Sequence, residues 1–163
     1  MATQSNLPRR DWKFDMPVPM KRFLHYATVF LGAVVVAGVV ASVFSTQFVI
    51  AGLQSIDVDI PLATRLSMTV DDFGILSAML PAVAACFLPG FLVAGLLWPR
   101  APGGRTGWFV LAGGVALVTE LLIMQASFDL MPIAGARSTS GLLMQGVAGA
   151  LGGLVFARGT KNA

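Results

Sequence analysis

Four long apolar stretches separated by short polar breaks dominate the pattern of the chain. A helix needs about 20 predominantly apolar residues to cross a bilayer. The pattern predicts an all-α membrane protein, a bundle of four transmembrane helices within residues 23–158, with polar tails at residues 1–22 and 159–163. The predicted spans are residues 23–47, 73–98, 108–127 and 138–156.

The first polar break, between the first two spans, carries four aspartates and one arginine, and it is too charged for the hydrocarbon core. Pro61 shortly after Asp59 is typical of a helix start, and Leu62 and Leu66 follow at helical spacing. We expect a short amphipathic helix in this first outer loop, lying on the membrane surface.

The composition agrees with this pattern. Apolar residues make up 56% of the chain, charged residues only 12%, and the mean hydropathy is +0.79, whereas soluble domains carry about 25% charged residues. A small soluble fold could not bury this much apolar surface, so the bilayer is the expected solvent. The bases are dispersed, which argues against nucleic acid as a partner.

The distribution of bases predicts the orientation. Nine of the eleven fall on one side of the predicted spans, and only Arg65 and Arg137 fall on the other. Because positive charge is retained in the cytoplasm, both termini are expected there. The expected location is a bacterial inner (plasma) membrane, which the chain crosses several times.

Small residues mark the faces through which helices approach closely in lipid. In the second span they recur every four residues, and in the fourth span two glycines form a GxxxG motif. These faces serve either packing within the bundle or contact between two copies of the chain. The predicted helix-packing residues are Ala78, Ala82, Cys86, Gly90, Ala94, Gly149 and Gly153.

Glu120 is the only acid well inside a predicted span, and an ionisable group at that depth is a candidate functional residue. Arg137 lies near the same face of the membrane, so the two form a candidate polar pair. The alternatives are an ion pair, a protonated and hydrogen-bonded Glu120, or a role in transport. Gln125 and Gln145 are candidates to join this polar network.

Catalytic chemistry has little support in the sequence. A single cysteine, Cys86, excludes an internal disulfide and a cysteine-based metal cluster, and a single histidine, His25, excludes a metal triad of histidines. We expect no cofactor, no resident metal and no enzyme. Two weaker hypotheses use the outer aspartates: a divalent cation on Asp57, Asp59, Asp71 and Asp72, or lipid chemistry on Asp71, Asp72 and Arg137.

The functional expectation is therefore an accessory, scaffold or assembly subunit of a larger membrane complex, with other membrane proteins or a second copy as partners. The alternative is a small oligomeric transporter or channel that uses Glu120 and Arg137.

Overall fold

A computed structural model describes residues 18–54, 61–128, 136 and 138–161. The described residues contain four helices and no strand, which confirms the predicted all-α architecture. All four helices include a stretch long and apolar enough to cross a membrane. They are α1 (Val18–Gln54), α2 (Leu62–Leu97), α3 (Gly104–Phe128) and α4 (Thr139–Gly159).

Turn formers and caps set the helix ends. Pro61 precedes α2 in an extended conformation. The turn between α2 and α3 places Gly103 and Gly104 at φ +116° and +68°, values that glycine adopts without steric cost. Ser138 caps α4, because its hydroxyl oxygen accepts a hydrogen bond from the backbone N–H of Gly141 at 3.1 Å.

The first two helices are longer than their predicted spans. At 37 and 36 residues, α1 and α2 are each about 55 Å long, whereas the hydrocarbon core is about 30 Å thick. The residues after Pro61 are helical, as the first turns of α2; their position on the membrane surface stays a prediction. Asp57 and Asp59 lie outside the described residues.

The helices form a four-membered ring in chain order, with α4 closing against α1 and with little contact across the diagonals. The α3–α4 pair has the most extensive contact, followed by α1–α4. We call one end of the bundle the basic end, because six bases lie there: Lys21, Arg22, Arg100, Arg105, Arg158 and Lys161. The opposite end, where α1 leads to α2 and α3 leads to α4, is the distal end.

A cluster of phenylalanines fills the core toward the basic end and joins all four helices. Phe91 is central: its ring stacks on Phe156 with centroids 4.6 Å apart and has edge contacts with Phe30 and Phe109. Phe87 completes the cluster, 4.9 Å from Phe91. Such ring contacts add packing energy that does not depend on expelling water.

Candidate functional site

Glu120 lies on α3, eight residues before the helix ends, and only 5% of its surface is exposed. Its Oε2 atom is buried and has no hydrogen-bond partner among the described residues. Buried polar atoms in proteins nearly always have a partner, so this oxygen requires an explanation. Arg137, the predicted ion-pair partner, lies outside the described residues, and the pair remains a prediction.

Gln145 on α4 is completely buried. Its side-chain Nε2 donates a hydrogen bond to the Ala41 carbonyl oxygen of α1 at 3.0 Å, which ties α4 to α1. The other end of the amide, Oε1, has no partner among the described residues. Gln125, the other glutamine considered for this network, is exposed.

α1 contributes two further polar side chains to the distal half of the core. Thr46 is 2% exposed, and its hydroxyl donates to the Ser42 carbonyl oxygen at 3.1 Å. The Ser42 hydroxyl is buried without a partner among the described residues. We call Ser42, Thr46, Glu120 and Gln145 the distal polar core.

Between the distal polar core and the basic end, glycines allow α3 and α4 to approach closely. An added methyl group on Gly149 would overlap the Gly113 carbonyl oxygen, and one on Gly153 would overlap that of Phe109. The structure thus places the GxxxG pair Gly149 and Gly153 at a contact within the chain. Gly152, which flanks this motif in the sequence, fits against Ala33 of α1.

The small residues predicted to form a packing face of α2 are buried to different extents. Ala94 is buried and Ala82 partly so. A methyl group added at Gly90 would lie 3.3 Å from the Ala116 Cβ atom of α3. Cys86 is partly buried. Ala78 lies within α2, but its side chain is outside the part that the structure describes.

An apolar groove of about 440 Å³ runs between α2 and α3. Its walls include Cys86, Pro89 and Val93 from α2, and Leu111, Val115 and Thr119 from α3. Val93, Leu111 and Val115 are each more than half exposed, so the groove opens outward from the bundle. We call it the α2–α3 groove.

The basic end contains a capping arrangement that the sequence did not predict. Arg105 of α3 donates hydrogen bonds to the Ala157 carbonyl oxygen at 2.6 Å and to Thr160, at the end of α4. The Nε2 of His25 donates to the Gly159 carbonyl oxygen at 2.9 Å. These donors satisfy carbonyl groups that the end of a helix leaves unpaired.

No group of three or more potential metal-ligating His, Cys, Asp or Glu side chains occurs in the part of the chain that the structure describes. The cation hypothesis remains untested, because Asp57, Asp59 and the side chain of Asp72 lie outside that part. No protein-family profile matches the chain, and no curated protein or solved structure shows significant similarity to it.

Proposed function

We propose that the protein is an accessory subunit of a larger membrane complex and that the α2–α3 groove receives an apolar transmembrane helix of its partner. The observation that carries this proposal is the groove itself, a cleft of about 440 Å³ open to the surroundings of the bundle. Helices in lipid associate through close packing and not through expulsion of water, so small side chains that admit a second backbone favour helix binding.

The side chains of the groove favour a helix as the occupant. Small side chains leave space within the groove: those of Ala85, Cys86 and Ala112. Larger side chains project beside them: those of Val93, Leu111 and Val115. This alternation of small and large side chains is complementary to the ridges and grooves of another helix. Thr119 also lines the groove and offers a hydroxyl to a polar group on the partner.

The single cysteine permits a direct test, because Cys86 lines the groove. A photo-crosslinker attached to Cys86 in native membranes is expected to capture one membrane protein, with the crosslink mapping to an apolar transmembrane segment. The matched control moves the thiol to the exposed position 147 on α4, in the double variant C86S/V147C. That variant should not capture the same segment.

A second substitution separates specific binding from chance proximity. Val93→Trp fills the groove from an exposed position of α2, so it should abolish co-purification of the captured partner while leaving the thermal stability of the isolated chain unchanged. Crosslinks only to lipid, only to a second copy of the chain, or to many unrelated proteins would contradict the proposal.

The buried Glu120 favours a second candidate function, a small oligomeric transporter or channel. A carboxyl group with an unpartnered oxygen in a membrane bundle is typical of ion and proton pathways. If the protein is such a transporter, Glu120→Gln is expected to abolish the flux of ions or protons in liposomes. Thr119→Val, one residue away on the groove face, is expected to retain that flux. Unchanged flux in Glu120→Gln would remove this candidate.

A further inference from the structure

Glu120 and Gln145 each bring a buried oxygen atom without a hydrogen-bond partner among the described residues into the same part of the bundle core. The Gln145 amide is held by its bond to the Ala41 carbonyl oxygen. That bond assigns Nε2 as the donor toward α1 and leaves Oε1 as an acceptor. An acceptor at this position needs a donor, and no described side chain, the nearby Ser42 hydroxyl included, donates a hydrogen bond to it.

The helix register places the two residues on facing sides of α3 and α4. Gly113 and Gly149 face each other across this contact. Glu120 follows Gly113 by seven residues and Gln145 precedes Gly149 by four, and both intervals return to nearly the same helix face. Because the two helices are antiparallel, Glu120 and Gln145 lie within about 5 Å of each other along the bundle axis.

Few charged or titratable groups are available to this site. The described bases lie at the basic end or, in the case of Arg65, in the first turns of α2. Among the described side chains of α2 near this site, the titratable group is the Cys86 thiol. α1 contributes the Ser42 hydroxyl and α4 the Gln145 amide. An ionised Glu120 would therefore be a buried charge without a described counter-ion, which is costly in a membrane.

We propose that Glu120 and Gln145 form a proton-binding site in the core, in which the neutral carboxyl group of Glu120 donates its O–H to Gln145 Oε1. One proton then satisfies two acceptors, since it removes the charge of the carboxylate and supplies the donor that the amide oxygen lacks. This inference does not depend on the identity of a partner or on transport.

Infrared spectroscopy of the purified full chain in lipid nanodiscs at pH 7 tests the proposal. The difference between the wild type and Glu120→Gln should show the loss of one protonated carboxylic-acid C=O band, with the carboxylate bands unchanged. Loss of a carboxylate band instead would overturn the proposal, and it is the result that an ion pair with Arg137 predicts.

The role of Gln145 is tested by Gln145→Met, which keeps a similar volume and removes the acceptor. The acid band of Glu120 should shift to higher frequency, and Gln125→Met, on an exposed position of α3, should leave it in place. An unshifted band would overturn the pairing.

The exchange variant E120Q/Q145E retains one carboxyl and one amide, so it should keep a protonated-acid band even where Gln145→Met fails to assemble. Absence of that band would contradict the pairing.

Discussion

Gly113 of α3 and Gly149 of α4 pack directly against each other, and a methyl group added to either would overlap the other's carbonyl oxygen. With no side chain between them, the two backbones approach closely, and this approach sets the register of the α3–α4 contact. The same register brings Glu120 within about 5 Å of Gln145 along the bundle axis.

Substitution of Gly149 by alanine should destabilise the bundle. The obstructing atom is backbone and cannot rotate away, so we expect a loss of about 1–3 kcal/mol, as for other overpacked cores. Thermal unfolding in detergent measures it. Gly95→Ala on α2, where nothing lies within 4 Å of an added Cβ, is the control and should be neutral or stabilising by up to about 1 kcal/mol. Equal effects at both positions would contradict the close contact.

Arg105 should stabilise the end of α4. Arg105→Ala removes its hydrogen bonds to Ala157 and Thr160, and a charged hydrogen bond contributes about 1.5–3 kcal/mol. Amide hydrogen exchange in the last turn of α4 is expected to accelerate. Arg100→Ala is the matched control, since the Arg100 side chain, in the turn after α2, donates to the nearby Leu96 carbonyl oxygen and does not reach α4 among the described residues. Unchanged exchange in Arg105→Ala would argue against the cap.

The aromatic cluster should depend most strongly on Phe91, which has ring contacts with residues from all three other helices. Phe91→Ala is expected to cost about 2–3 kcal/mol, below the range of about 3–5 kcal/mol for soluble cores, because lipid already solvates apolar groups. Leu92→Ala, at a neighbouring position that is 61% exposed, should cost much less. Unfolding with a denaturing detergent compares the two, and similar losses would count against a packed cluster.

The predicted orientation can be checked with an impermeant thiol reagent and two single-cysteine variants in a C86S background. Arg22 lies at the basic end, and Thr64 lies near the start of α2 on the distal side; both are exposed. In sealed right-side-out vesicles, Thr64→Cys should react at once and Arg22→Cys only after permeabilisation. The reverse pattern would invert the topology that the base distribution predicts.

The sequence by itself determined four helices long and apolar enough to cross a membrane, because a run of about 20 apolar residues leaves the backbone in lipid no alternative to internal hydrogen bonding. It also singled out Glu120, since an acid inside such a run is conspicuous. It did not reveal that the helix after Pro61 continues into α2, because charged surface turns and a separate surface helix have the same local pattern.

Only the tertiary structure decided which helices are in contact and which of their residues lie opposite each other along the bundle axis. The GxxxG motif indicated a close contact but not its partner, since another helix of the same chain or a second copy of the chain would satisfy the same pattern. The Arg105 cap on α4 joins residues far apart in the chain, and so does the placement of Glu120 near Gln145 along the bundle axis. Their positions follow from the register of antiparallel helices, which depends on how side-chain volumes fit across a contact and is not encoded in the periodicity of either helix alone.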